Sequence, residues 1–197
     1  MEGLFGFMLA GLALLANTGP ATLSLAATGA AFGARRGLGY LIGIAVGMIV
    51  VMCIIATGVV GVLMALPGAA PVLTALAAAY IVYLAYCIAT APPLLDSTQQ
   101  HHQPSFMGGM FLSLVNPKAY AVLAALFSGF VLVEEGLHID AALKTIILLT
   151  ILSITNTAWL FAGAALTRFA REPNINRAIN VTFAVLLVAS VIFAQLF

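Results

Sequence analysis

Almost every charge in this chain falls in a short break between long apolar runs, and from Arg36 to Asp96 no Lys, Arg, Asp or Glu intervenes. Only 7% of the 197 residues are charged while 63% are apolar, and the mean hydropathy is +1.17. Soluble domains carry about 25% charge. There is too little polar surface here to clothe a globule in water, so lipid must be the solvent for most side chains. In lipid the backbone has to satisfy its own polar groups, which a helix does unaided, and a spanning helix takes about 20 apolar residues. The apolar runs predict six spans, near residues 3–30, 38–66, 72–91, 106–133, 143–167 and 177–197. The expected fold is an all-α membrane protein, one transmembrane domain over residues 1–197. Met1 to Leu15 reads as a retained first span rather than a signal, since Glu2 stands where a basic segment would be.

The breaks alternate in sign. Those after the odd-numbered spans hold Arg35, Arg36, Arg168 and Arg171, with Arg177 at the edge of the last; the others hold Glu134, Glu135 and Asp140 beside Lys144. The positive-inside rule then puts both termini on the non-cytoplasmic side and gives the two adjacent arginines a topogenic role. The net charge of +1 is scattered, without the basic and aromatic interleaving of a nucleic-acid surface, so no nucleic-acid partner is expected. Cys53 and Cys87 lie in apolar runs without a Cys-x-x-Cys or Cys/His neighbourhood and read as buried small apolar residues.

Sliding the chain by 99 positions lays Phe7-Met8 on Phe106-Met107, Leu15 on Leu114, Asn17 on Asn116, and Arg35-Arg36-Gly37 on Glu134-Glu135-Gly136. The connections agree in place and in glycine while their charges reverse. With three spans per half, the second half enters the membrane upside down, and the reversal is what positive-inside topology demands. The expectation is two inverted-topology repeats, about 1–98 and 99–197. Such repeats let one bundle open to either side around a midplane site, which favours a secondary transporter.

The first predicted span is interrupted by Asn17-Thr18-Gly19-Pro20 and the fourth by Asn116-Pro117-Lys118. Each proline lacks an N–H and clashes with the carbonyl four residues back, at Ala16 or Ser113, so both long helices are predicted to break. Freed backbone groups are costly in lipid unless they line a cavity, and the half-helix N-terminus beyond a break presents amide donors and positive potential suited to a carboxylate. A substrate site built from Asn17, Thr18, Gly19, Pro20, Asn116, Pro117 and Lys118 is weighed against a packing kink. Lys118 stands roughly 18 Å along its helix, near the midplane, where an unneutralised cation costs about 2.5–3.5 kcal/mol. No Asp or Glu lies inside a predicted span, so a substrate carboxylate is one partner for it and snorkelling or capping is the alternative.

Asn156, in a polar patch of the fifth span, either lines the cavity or bonds across helices. Gly39, Gly43 and Gly47 make one smooth helix face for close packing, and such faces permit a homodimer. Tyr80, Tyr83 and Tyr86 read as packing or interface residues, and His101 and His102 as solvated. No phosphate-binding loop, dinucleotide motif or catalytic triad appears, and neither a cofactor nor a metal is expected.

These motifs resemble the LysE/RhtB family of amino-acid exporters over nearly the whole chain. The family's Pro-Gly-Pro element stands here as Thr18-Gly19-Pro20, with the first proline replaced. Its G-x-R-x-G-L connection stands as Gly33-Ala34-Arg35-Arg36-Gly37-Leu38, its Tyr-rich third span as Ala79-Tyr80-Ile81-Val82-Tyr83-Leu84, and its Asn-Pro-Lys-Ala motif as Asn116-Pro117-Lys118-Ala119. The resemblance implies export of amino acids or related small metabolites across the bacterial inner membrane, driven by the proton gradient. A metal-ion or other small-solute transporter is the alternative, ahead of a structural subunit or a membrane enzyme.

Overall fold

The computed structural model describes residues 2–17, 19–58, 68–91, 103–134, 136–169 and 173–196. They form eight described helices, α1 (Glu2–Leu15), α2 (Pro20–Phe32), α3 (Ala34–Ala56), α4 (Ala69–Ala89), α5 (Phe106–Val115), α6 (Pro117–Gly129), α7 (Leu137–Phe169) and α8 (Pro173–Leu196), and no strand occurs among the described residues. Thr18, Pro67, Asp96, His101, His102, Glu135, Arg171 and residues 59–66 of the second predicted span lie outside them.

Both breaks expected from proline occur, and each is a restart rather than a kink. The pair α1 and α2 is bent by 59° and the pair α5 and α6 by 63°. Pro20 and Pro117 each open the second helix of their pair, where the missing N–H costs nothing because a first-turn amide has no helical acceptor. The stretches Ala34–Ala56, Pro71–Ala89 and Leu137–Leu166 are each long and apolar enough to cross a membrane, and counting each bent pair as one span brings the candidates to five. In α8 the apolar part, Asn174–Ser190, is shorter.

The core lies where α2, α3, α5 and α7 cross. Leu25, Ala27, Tyr40, Ile44, Val51, Leu112, Leu148 and Leu160 are all buried there. Glycine sets how closely these helices approach. A Cβ at Gly43 would strike the Phe106 carbonyl oxygen of α5, and one at Gly163 the Ala26 carbonyl oxygen of α2, so the backbones themselves are in contact.

Three expectations change. Gly39 faces open space, with nothing within 4 Å of where its Cβ would be, so the packed stripe on α3 is Gly43 and Gly47. Cys53 is exposed on the apolar surface of α3, while Cys87 is buried. Asp140 sits in the first turn of α7, not in the connection before it, and is buried beside Lys144.

Candidate functional site

At the first break α1 ends at Leu15, and the backbone runs through Asn17 to Gly19, whose φ of −155° and ψ of 179° are extended. The Gly19 N–H donates to Thr22 Oγ1 at 2.8 Å, and the Thr22 hydroxyl donates back to the Gly19 carbonyl at 3.0 Å. A threonine two residues after the proline therefore closes the new helix's first turn, the work a capping box does.

The second break needs a single residue. Asn116 is extended at φ −81° and ψ 104°, and its Oδ1 accepts from the Lys118 N–H at 3.1 Å as an N-cap. Its own N–H turns back to the Ser113 carbonyl at 3.4 Å, so α5 closes before α6 begins.

The two breaks meet across the bundle. The Lys118 side chain crosses to the first break and lies on Gly19, where an added Cβ would sit 3.0 Å from Nζ. One cavity of about 60 Å³ is lined by residues of both breaks and of the helices around them: Asn17, Gly19, Pro20, Asn116, Lys118 and Asn156. Asn156, from α7, is only 3% exposed. Asn156 lies on the wall of this cavity. Pro117 fixes the start of α6 without lining that cavity.

Chemically the cavity is a dipolar socket. The C-terminal carbonyls of α1 and α5 bring negative potential to the breaks, while the first turns of α2 and α6 bring positive potential. Lys118 adds a cation, and the asparagines offer both donors and acceptors. Apart from Thr22 the remaining wall is apolar, with Leu14, Ile44, Met48, Val122 and Leu152. A small zwitterion matches this pattern, its carboxylate toward Lys118 and the α2 terminus and its ammonium toward carbonyl and amide oxygens.

Sequence reading missed Thr22, whose spacing from Pro20 carries a capping signal, and the apolar wall from α3, α6 and α7. It also missed a buried ion pair. Asp140 and Lys144 approach to 2.5 Å, with side chains 9% and 3% exposed. Asp140 Oδ1 also accepts from the Leu132 and Val133 amides at 2.7 and 3.0 Å, and Lys144 Nζ donates to the Phe127 carbonyl at 2.9 Å. The i, i+4 spacing was visible, but Asp140 was placed in the connection before the fifth span. Tyr80 packs edge-on against Phe111 at 5.5 Å, while Tyr83 and Tyr86 face outward. No cluster of His, Cys, Asp or Glu able to hold a metal occurs among the described residues.

No solved structure matches the chain. Proteins named cysteine/O-acetylserine efflux protein from Escherichia coli (strain K12) and Shigella flexneri are each 30% identical to it over 171 residues, covering 86% of this chain and 86% of theirs. The model of the LysE type translocator matches residues 12–195. With nearly its whole length inside that match, and with both helix breaks in place, the chain belongs to the LysE type translocator family and is a membrane transporter, not an enzyme.

Proposed function

We propose that this transporter exports an amino acid across the bacterial inner membrane and binds it at the two helix breaks. The observation that carries the reading is the shared cavity, which joins Asn17, Gly19, Pro20, Asn116, Lys118 and Asn156 from segments far apart in the chain. Thr18 completes the first break in sequence. The names of the relatives make cysteine and O-acetylserine the first substrates to try; both are small zwitterions with uncharged side chains, and the cavity wall carries no carboxylate among the described residues.

The transporter is a single domain of six spans, two inverted three-span repeats, with both termini on the non-cytoplasmic side. Support comes from the two bent pairs, whose asparagines Asn17 and Asn116 stand 99 residues apart, and from the reversed charges of the connections. The proton gradient drives export in this reading, as the family resemblance implies.

The test is the extracellular amino-acid profile, by mass spectrometry, of dipeptide-loaded cells expressing the wild type, Lys118→Ala or an empty vector. One amino acid should accumulate outside with the wild type, and Lys118→Ala should lower its export by about tenfold or more, the effect of losing a charge-assisted contact. Wild-type cells exporting nothing above the vector would refute the amino-acid reading.

A further inference from the structure

We propose that a second, larger cavity between α3, α6 and α7 is the release vestibule for the solute bound at the breaks, leading to the side of the molecule that carries Glu134. The inference rests on the break cavity being the substrate site. The vestibule has a volume of about 580 Å³, and the same three helices that wall the smaller cavity continue into it. Along α3 the lining passes from Met48 to Ile55, along α6 from Val122 to Ala124 and Phe127, and along α7 from Leu152 to Lys144. The steps on α3 and α7 correspond to roughly 10–12 Å of helix, so the two spaces lie in series along the bundle.

In the opposite direction, toward Arg35 and Arg36, the described helices pack backbone to backbone. A Cβ at Gly43 would strike Phe106 O and one at Gly109 would strike Tyr40 O, which closes α3 on α5. Gly29 meets Leu160 O, and Gly163 meets Ala26 O, which closes α2 on α7. Two buried hydrogen bonds cross between these helices: Ser113 Oγ of α5 donates to Ile44 O of α3 at 3.0 Å, and the Tyr40 hydroxyl of α3 donates to Ser24 Oγ of α2 at 3.0 Å. On the Glu134 side glycine makes no such seal. Gly11 would meet only the tips of Leu148 and Ile151, and Gly58 and Gly129 have nothing within 4 Å. Among the described residues, the helices are thus in backbone contact on one side of the site and leave a wide space on the other.

The chemistry of the vestibule wall suits release. Its two buried charges, Asp140 and Lys144, neutralise one another, and backbone groups at Leu132, Val133 and Phe127 occupy their remaining hydrogen-bonding directions. Neither buried ion is left to hold a zwitterion, and a solute that leaves the dipolar socket enters a wider space whose remaining charge, Glu134, is exposed.

The test uses single-cysteine variants in a Cys53→Ala/Cys87→Ala background and a membrane-impermeant methanethiosulfonate added to intact cells. Ala124→Cys, in the vestibule, should react faster than Ala26→Cys, in the α2–α7 seam, by about tenfold or more, because a seam position reacts only after local opening. Modification at Ala124→Cys should also stop export. Ala141→Cys, on the facing wall, replaces Ala124→Cys if that variant does not reach the membrane. Faster reaction at Ala26→Cys, or vestibule labelling confined to inside-out vesicles, overturns the proposal. Export by the unlabelled background is measured in parallel: its absence counts against the amino-acid reading, while the labelling contrast still decides where the passage opens.

Discussion

The two helix breaks do the same job with different means. The first takes four residues, Ala16 to Gly19, and is closed by a reciprocal pair of hydrogen bonds between Gly19 and Thr22. The second takes Asn116 alone, whose side chain caps Lys118. The first contributes a glycine and no charge, the second a lysine that crosses to lie on that glycine. The lesson is complementarity. The two breaks are not equivalent: one is the thin wall against which the other lays its cation.

The largest effect outside Lys118 itself belongs to Gly19. A Cβ there would sit 3.0 Å from Lys118 Nζ, a distance a single methyl meets by nudging the flexible lysine, but an isobutyl group does not. Gly19→Leu should abolish export in the efflux assay with the protein still present in the membrane fraction, and Gly19→Ala should fall between. Equal export by Gly19→Leu and wild type would break the comparison.

Asn116→Ala comes next. It removes the cap on the Lys118 N–H, worth about 1 kcal/mol, or roughly fivefold in apparent affinity if the whole loss is felt by the bound solute. A raised KM with little change in maximal rate is the expected signature in proteoliposome uptake. The smallest effect is that of Thr22→Val, which keeps the side chain's shape and deletes its two local bonds. About 0.5–1.5 kcal/mol should be lost from thermal stability in detergent, with export changed less than by Asn116→Ala. The reverse ranking would show that the first break, not the second, holds the solute.

Much of this arrangement was legible in the residues alone. Proline after asparagine or glycine in the middle of an apolar run has few outcomes in lipid, and both breaks fell where the motifs stood. Asn156 was ambiguous because an amide inside a span bonds equally well to a neighbouring helix or to a cavity, and only the packing of α7 decides between them. The Asp140–Lys144 pair was hidden for a different reason. Glu134, Glu135 and Gly136 make the segment look like a wet connection, and what buries Asp140 is the return of the chain at Leu132 and Val133, a tertiary contact that no local pattern encodes. The glycine stripe on α3 was drawn one residue too long, because a four-residue period runs along the helix while the crossing with α5 does not extend to Gly39.

The ion pair also bears on how the chain enters the bilayer in the first place. A lone charge at the centre of an inserting helix costs about 2.5–3.5 kcal/mol, but Asp140 and Lys144 stand one turn apart, so their neutralisation needs only the first turns of α7 and no other part of the bundle. Their remaining partners, the Phe127 carbonyl and the Leu132 and Val133 amides, precede them in the chain and have left the ribosome earlier. Everything that makes these two charges tolerable in lipid is therefore present once Lys144 has emerged, and α6 with the start of α7 can partition as a hairpin before the last helix is synthesised.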